Sequence, residues 1–221
     1  MKIAIGLYPG FTALDAIGPY QVLVQIPDAE VVICAEHLGD LADDMGHLHL
    51  DIAHTLDDVP TPDVLLVPGG VVTRTLAIPG TPIVEWIRDA HPTTTWTTSV
   101  CTGSLLLGAA GVLDGLRATT HWCSLDLLAA HGATATSERV VIDGRVITGA
   151  GVSAGIDMAL TLVERLAGVE MAQAIQLGIE YDPRPPVDAG SPDKAPPEIR
   201  DLVAAVLAEA ESAAGVTTAP A

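Results

Sequence analysis

The segment around Cys101 has the residue pattern of an exposed nucleophile. Residues 94–100 have the composition of a strand, and residues 103–110 have that of a helix closed by Gly111. A strand that passes through one tight turn into a helix presents the side chain of that turn at the carboxyl end of the sheet, where open α/β sheets bind ligands. The helix N-terminus also favours a thiolate over a thiol. We therefore predict that Cys101 is a nucleophile; the alternative is a small buried core residue.

Asp15 is the second residue that could do chemistry. It lies among apolar neighbours, shortly after the first apolar run of the chain, residues 2–8. If that run is a strand, Asp15 lies at the same edge of the sheet as Cys101. An ionised carboxylate costs several kcal/mol to bury alone, so it must find partners or hold a proton. Two interpretations stay open: Asp15 is a partner of Cys101, or it caps a helix that begins near Pro19.

Two further features could complete a site at this edge. Pro68-Gly69-Gly70 follows the apolar run 64–67, and its N–H groups could stabilise an anionic intermediate beside Cys101. An ordinary glycine turn is the alternative, because glycine pairs are common in turns. His121 directly follows the run 117–120. It either supports the active site at this edge of the sheet or is a buried histidine whose hydrogen bonds are satisfied within the core.

The histidines and cysteines give no pattern of a metal site or a disulfide framework. The clustered histidines are His47, His49 and His54. No carboxylate or cysteine completes a recognised ligand spacing around them, so we expect no metal and place them on a solvent-facing edge strand. The cysteines are Cys34, Cys101 and Cys123. Their odd number and their spacing predict free thiols in a reducing cytoplasm. Cys34 and Cys123 lack an exposing turn, so we expect both to pack in the core.

Charge and composition narrow the class of protein. Ten Lys plus Arg against 28 Asp plus Glu give a formal net charge of −18, so nucleic acid and an anionic membrane surface are disfavoured partners. Hydrophobic residues make up 49% of the 221 residues, which predicts a large buried core. Residues 93–113 are uncharged, but their many threonines favour a buried strand and helix over a membrane span. The N-terminus shows no secretion signal, which also predicts a cytoplasmic protein.

Short apolar runs alternate with helical segments along the chain. Predicted strands are residues 2–8, 30–35, 47–52, 64–67, 94–100 and 117–120, with a hairpin over 140–147 that turns at Asp143-Gly144. Predicted helices are residues 19–26, 83–90, 103–110, 124–130 and 153–166. This alternation predicts an α/β fold with a mostly parallel central sheet sandwiched by helices. We expect one domain over residues 1–197, followed by a C-terminal helix and a frayed tail over 198–221.

Several of these motifs together resemble a known family. Through about residue 168, the chain resembles the ThiJ/PfpI superfamily of flavodoxin-like α/β proteins related to class I glutamine amidotransferases. The matching segments are residues 11–19, Val67-Pro68-Gly69-Gly70, Val100-Cys101-Thr102-Gly103 and Thr148-Gly149-Ala150-Gly151. Within the superfamily, the chain is most similar to the members that hydrate isonitriles. The segments that carry this closer likeness are Cys101-Thr102-Gly103-Ser104, Ala118-Thr119-Thr120-His121-Trp122, Ala154-Gly155-Ile156-Asp157 and residues 180–192.

The resemblance implies an activity and a set of site residues. The implied site comprises Cys101, Asp15 and Thr102 as catalytic groups, the backbone of Gly69, Gly70 and Val71 as substrate or oxyanion contacts, and His121, Gly151 and Val152 as supporting positions. Cys101 would attack an isonitrile to give a thioimidate, with Asp15 as general acid and base, and water would release an N-substituted formamide. The proteolytic members carry a histidine directly after the cysteine, where this chain has Thr102. The resemblance implies a homodimer, and the scheme needs no cofactor.

Two other functions stay open on the sequence alone. A glyoxalase-like or deglycase-like enzyme would use the same cysteine turn, but normally with a glutamate partner. A redox or ligand sensor would use a low-pKa exposed thiol that is oxidised. Formation of a formamide from an isonitrile, without lactate from methylglyoxal, would favour the hydratase over the other enzyme. A protein without turnover, whose reversible Cys101 oxidation changes partner binding, would favour the sensor.

Overall fold

A computed structural model describes residues 1–215 of the chain. Its strands are β1 (Lys2–Gly6), β2 (Glu30–Ala35), β3 (Gly39–Ala42), β4 (His49–Ile52), β5 (His54–Thr55), β6 (Val64–Val67), β7 (Trp96–Val100), β8 (Arg117–Ala118), β9 (Thr134–Ala135), β10 (Val140–Asp143) and β11 (Val146–Gly149). Its α-helices are α1 (Ala13–Leu23), α2 (Thr73–Leu76), α3 (Pro82–Ala90), α4 (Gly103–Ala109), α5 (Ala154–Ala167), α6 (Val169–Gly178) and α7 (Pro197–Ala213). Short 3-10 helices cover Leu56–Asp58, His91–Thr93 and Trp122–His131.

Seven strands form one sheet in the order β10-β11-β7-β6-β1-β2-β5. Neighbouring strands are parallel, except that β10 is antiparallel to β11. The remaining strands pair as β3 with β4 and β8 with β9. Apolar runs suit a sheet that is covered on both faces, and all residues of β6 are buried. The predicted α/β fold with a mostly parallel central sheet is confirmed.

The helices cover the sheet in two groups. On one side α5 packs on β7, β10 and β11, while α1 and α6 pack on α5. In the other group α4 packs on β6 and β7, while α3 and the 3-10 helix Trp122–His131 pack on α4. In α5 the buried residues Met158, Leu162 and Val163 recur at helical spacing and form one apolar stripe toward the sheet.

Four adjacent parallel strands end at one edge of the sheet. β1 pairs with β6, β6 with β7, and β7 with β11. The chain leaves these four ends at Leu7, Pro68, Cys101 and Ala150. Segments that are far apart in the sequence therefore meet at this edge, where open α/β sheets bind their ligands.

The first helix differs from its prediction. α1 begins at Ala13, and Pro19 lies inside it, so the predicted start near Pro19 is wrong. The missing N–H of the proline leaves the Asp15 carbonyl without its usual helical donor. The proline ring is held by close packing on α5, since a Cβ built on Gly155 would lie 3.1 Å from Pro19 Cγ. The N-cap is Thr12, without a side-chain capping bond, so the interpretation of Asp15 as the cap is also wrong.

Four other segments depart from the sequence pattern. β8 stops after Ala118, because the next N–H, that of Thr119, donates to Thr148 Oγ1 at 2.9 Å. The segment predicted as helix 124–130 is the 3-10 helix Trp122–His131. α6 has no predicted counterpart, since Ile175 is its one buried residue. The hairpin turns at Gly144 and Arg145, one residue later than predicted.

The strand predicted over residues 47–52 and the C-terminal helix are both present. β4 pairs antiparallel with β3, and α7 begins at Pro197. Residues 216–221, which belong to the predicted frayed tail, lie outside the described residues. Within residues 1–215, no helix combines the length and the apolar character that crossing a bilayer requires.

Candidate active site

Cys101 occupies a strained turn between β7 and α4. Its φ is +56°, in the left-handed region that residues with a side chain rarely adopt. The turn is fixed by the Cys101 N–H, which donates to the carbonyls of Gly149 at 3.0 Å and Ala150 at 2.8 Å. Its carbonyl accepts from Thr120 Oγ1 at 3.0 Å. A Cβ on Gly103 would collide with the carbonyl oxygens of Val67 and Pro68, so the turn needs glycine there. These contacts hold the sulfur at the predicted edge of the sheet.

Asp15 lies in the first turn of α1 and is fully buried. One carboxylate oxygen, Oδ2, accepts from the Gly69 N–H at 2.8 Å. The other, Oδ1, has no hydrogen-bond partner within residues 1–215. The Cys101 thiol is the neighbouring donor, and its interaction with the carboxylate favours the ionised form. Burial outweighs both bonds and raises the pKa of Asp15 to about 7.

The thiol of Cys101 also keeps its proton. Burial and then the negative charge of Asp15 raise its pKa well above the usual value. Hydrogen bonds to the sulfur from the Val152 N–H and from the backbone and side chain of Thr102 act in the opposite direction and are outweighed. Burial therefore opposes the thiolate that the sequence predicts for the free site, because desolvation outweighs the N-terminus of the seven-residue helix α4. When Asp15 is ionised, the pair holds one proton, and that proton is on the sulfur.

Thr102 and the loop after β6 are joined in one hydrogen-bond network. Thr102 Oγ1 accepts from the Gly70 N–H at 3.1 Å and from Thr73 Oγ1 at 2.7 Å. The N–H groups of Gly69 and Gly70 thus have protein acceptors, so the prediction that they contact an anionic intermediate is wrong. The Val71 N–H is free, because no acceptor for it lies in the described part of the chain. Of the three predicted backbone donors, Val71 is the one that can contact a ligand.

The glycine at position 69 is required by close approach. A Cβ there would lie 2.7 Å from both the N and the Oγ1 of Thr102, and 2.9 Å from Asp15 Oδ2. Real Cβ contacts are longer than this, so any side chain at this position would push the loop away from the carboxylate. Gly69 therefore acts through its small size and its N–H.

The three predicted supporting positions lie around the cysteine. His121 Nδ1 accepts from the Cys123 N–H at 3.4 Å and so caps the 3-10 helix. Burial and the charge of Arg74 lower the pKa of His121, which is therefore neutral at physiological pH. A Cβ on Gly151 would lie 2.8 Å from His121 Cδ2, so this glycine makes room for the ring. Val152, with φ +25°, directs its N–H to the Cys101 sulfur.

A cavity of about 180 Å³ opens onto the cysteine. Most of the predicted site lines it: Gly70, Val71, Cys101, Thr102, His121 and Val152. Six lining residues were not among the predicted site residues: Thr12, Asp44, Cys123, Ser124, Leu207 and Glu211. Cys123 is thus half-buried at a cavity wall and not in the core, whereas Cys34 is buried in β2 as expected. Asp44 is held by Thr12 Oγ1, which donates to its Oδ2 at 2.6 Å.

Comparison with known proteins identifies the family of the chain. Residues 1–165 match the DJ-1/PfpI family. The chain belongs to the DJ-1/PfpI family. It is 45% identical over 201 residues to the isonitrile hydratase of Pseudomonas putida, covering 91% of this chain and 87% of that protein. The resemblance to the ThiJ/PfpI superfamily is thereby confirmed.

Solved structures of the DJ-1/PfpI family have the same fold. A ThiJ/PfpI family protein from Pseudomonas syringae superposes with a TM-score of 0.89 at 39% identity, covering 97% of this chain and 90% of that one. Oxidized DJ-1 of Toxoplasma gondii gives a TM-score of 0.72 at 20% identity, covering 82% of this chain and 99% of that one, and shares the fold. The DJ-1/PfpI match ends at residue 165, so α6 and α7 lie beyond it.

Proposed function

We propose that this protein is an isonitrile hydratase, which adds water to R–N≡C and releases the N-substituted formamide. The observation that carries this proposal is the pairing of a buried, half-satisfied Asp15 carboxyl with the Cys101 thiol at the cavity. The terminal carbon of an isonitrile must gain both a nucleophile and a proton, and this pair can supply one of each. The similarity to the Pseudomonas putida enzyme supports the same substrate class.

The first half of the reaction forms a thioimidate. Asp15, as carboxylate, takes the thiol proton while the sulfur of Cys101 attacks the terminal carbon. The lone pair on that carbon then takes the proton from Asp15. The product is R–N=CH–S on Cys101, and Asp15 is ionised again. Every proton in this half comes from the thiol, so no outside acid is needed.

The second half releases the formamide. Asp15 takes a proton from water as the water oxygen attacks the thioimidate carbon, and it passes that proton to the nitrogen. The resulting R–NH–CH(OH)–S adduct loses its hydroxyl proton to Asp15 as the C=O bond forms and the C–S bond breaks. Asp15 then returns the proton to the sulfur. The sum is one isonitrile and one water converted to one formamide, without a cofactor.

The backbone and Thr102 assist these steps in the proposed mechanism. The Val152 N–H bonds to the sulfur, and so it stabilises the thiolate that forms when the proton leaves. The free Val71 N–H lines the cavity and is placed to bind the water or the adduct oxygen. Thr102 ties the cysteine turn to the loop at Gly70, so it is a positioning residue for both halves of the reaction. Gly151 and His121 shape the wall beside it.

The proposed assembly is a homodimer in the cytoplasm. Large apolar side chains on α7 are exposed and would gain from burial against a second copy, namely Ile199, Leu202 and Val206. Light scattering should give twice the monomer mass, and a single monomer mass would overturn the dimer. The three free cysteines support a reducing compartment, which cell fractionation tests.

Turnover and a trapped intermediate test the function together. Purified full-length protein is incubated with cyclohexyl isonitrile and with p-nitrophenyl isonitrile, and formamide is measured by chromatography. Mass spectrometry should show a transient adduct of isonitrile mass on the peptide that contains Cys101. Cys101→Ala should abolish both signals, while Cys34→Ala, which removes another buried thiol, should retain them. Lactate from methylglyoxal in place of formamide would instead identify a glyoxalase-like enzyme.

A further inference from the structure

α7 lies on the protein without contributing to its core. None of its 17 residues is buried. Its large apolar side chains are mostly exposed, with Leu202 at 59% and Val206 at 56%. A helix that is kept for stability normally buries an apolar stripe. Besides the proposed dimer contact of its outer face, α7 has an inner face that contacts the body of the protein.

The inner face of α7 carries two long side chains, and both line the active-site cavity. The partly buried positions from residue 204 onward recur at helical spacing and are Ala204, Leu207, Ala210, Glu211 and Ala214. Three of them are alanines, which allow the helix to lie close to the body. Leu207 and Glu211, one turn apart, line the same cavity as Cys101. α7 thus supplies part of the cavity wall from beyond the DJ-1/PfpI match.

An ion pair fastens this part of α7 to the body. Glu211 Oε2 lies 2.9 Å from Arg74 Nη1, with the two side chains 13% and 20% exposed. Arg74 is in α2, directly after the Gly70 loop, and it also donates to Ser124 Oγ at 3.2 Å. Partial burial weakens the screening of the two charges by water and salt. This ion pair should therefore stabilise the position of α7 more than an exposed surface ion pair would. The pair thus fixes α7 against α2 and, through Arg74, against the 3-10 helix Trp122–His131. These two segments lie on the other side of the cavity.

The cavity has the size of one ring. Cavities of about 150 Å³ hold a benzene molecule in other proteins, and this one measures about 180 Å³. The carboxylates of Asp44 and Glu211 line it, so an anionic R group is disfavoured. The apolar side chain that α7 contributes is Leu207. A change in its volume would therefore change the space available to R.

We propose that α7 is the outer wall of the substrate cavity, that Leu207 sets the largest neutral R group the site admits, and that the Arg74–Glu211 pair holds this wall in place. The substrate class, isonitriles with a compact uncharged R group, rests on the proposed hydratase function. The statement about access to Cys101 does not rest on that function, because an electrophile that reaches the sulfur through this cavity passes the same wall, whatever reaction follows.

Two substitutions at Leu207 with opposite effects test the wall. The ratio of kcat/KM for naphthyl isonitrile to that for isopropyl isonitrile is measured for the full chain. Leu207→Ala should raise this ratio about tenfold and Leu207→Trp should lower it about tenfold, the range expected for methylene-sized changes in an apolar pocket. The matched control is Leu177→Ala, since Leu177 is 80% exposed on α6; it should leave the ratio unchanged. Equal ratios in all three variants would overturn the proposal.

A second readout separates this proposal from the hydratase function. Alkylation of Cys101 by iodoacetamide and by N-naphthyl iodoacetamide is followed by peptide mass mapping, which distinguishes Cys101 from Cys123. The ratio of the two rates should shift in the same directions for Leu207→Ala and Leu207→Trp. If it shifts while no isonitrile is turned over, the wall stands and the hydratase function fails. If isonitriles are turned over and neither ratio shifts, the hydratase stands and the wall is overturned.

The ion pair has its own test on the same helix. Glu211→Gln removes the charge that pairs with Arg74, and Glu209→Gln removes a charge from an exposed position nearby. Glu211→Gln should raise the alkylation ratio in favour of the naphthyl reagent, because α7 is held less firmly, while Glu209→Gln should not. Equal ratios for the two variants would overturn the assignment of the pair as the fastening of α7.

Discussion

The Gly69 N–H donates to Oδ2 of Asp15 at 2.8 Å, across 54 residues of sequence. This bond fixes one carboxylate oxygen, while the other, Oδ1, has no hydrogen-bond partner among residues 1–215. Burial favours the neutral carboxyl group and outweighs this bond and the interaction with Cys101, which both favour the ionised form, so the pKa of Asp15 is raised to about 7. The loop after β6 therefore positions Asp15 and limits the rise of its pKa. A carboxyl group at this balance can accept and return a proton near neutral pH.

Replacing Asp15 by asparagine should change how stability depends on pH. The pKa of Asp15 is about 7 in the folded state against 3.8 for the free group, so the native protein binds more protons than the unfolded chain between these values. The free energy of unfolding of the wild type should therefore fall as pH rises through this window, by up to about 4 kcal/mol. The free energy of unfolding of Asp15→Asn should not show this decrease, because asparagine does not titrate. Urea unfolding at about pH 4 and about pH 8 measures the difference.

The variant should thus be more stable than the wild type at the higher pH, with the gap closing at the lower one. Asp193→Asn, in the segment before α7, is the control for the loss of an exposed carboxylate. Parallel stability curves for Asp15→Asn and the wild type would contradict a raised pKa at this position.

The pH dependence of kcat/KM should also report the ionisation of Asp15. Asp15 must be ionised to take the thiol proton, so kcat/KM should fall as pH drops below about 7 and stay level above it, because the pKa of Cys101 is raised well beyond that point. Rates with an isonitrile, corrected for the reaction without protein, give the profile. The apparent value belongs to the Asp15–Cys101 pair as a unit. Asp15→Asn should lower kcat/KM at least about 10²-fold and remove the acid limb; a surviving limb would assign it to another group.

The sequence predicts the position of the site because that position follows from the order of the strands. Apolar runs before Cys101 and Asp15 are sufficient to place both residues at carboxyl strand ends, and parallel pairing brings those ends together. Gly103, two residues after Cys101, predicts the tight turn at the cysteine. These features depend on local residue types and on sheet topology, which a single sequence records.

The remaining features depend on contacts between distant segments. The protonation of Cys101 reflects burial and the nearby Asp15, which together outweigh the helix N-terminus that the local sequence suggests. The N–H groups of Gly69 and Gly70 are taken by side chains from other elements. Leu207 lies more than one hundred residues from Cys101 in a helix without a buried face, so no local pattern connects it with the cavity.

A methyl group at position 69 should displace the loop after β6 from the Asp15 carboxylate. The Cβ of Gly69→Ala would lie within 3 Å of Thr102 and Asp15, so the loop must move and the Gly69 N–H must leave the carboxylate. Misplacement of a catalytic group by about 1 Å can cost about 10²-fold, and we expect kcat/KM to fall at least about tenfold. Gly190→Ala, which meets nothing within 4 Å, should keep full activity. An active Gly69→Ala with an unchanged pH profile would show that the Gly69 bond does not tune Asp15.

The hydroxyl of Thr102 should matter more than its methyl group. Thr102→Val keeps the shape but removes the acceptor for the buried Gly70 N–H and for Thr73 Oγ1. An unsatisfied buried donor costs about 1–3 kcal/mol, so the free energy of unfolding should fall by that amount. kcat/KM should fall at least about tenfold, because the cysteine turn is no longer tied to the loop at Gly70. Thr102→Ser keeps the hydroxyl and should restore both values. If Ser and Val variants lose activity equally, the methyl group positions the turn and the hydrogen bonds do not.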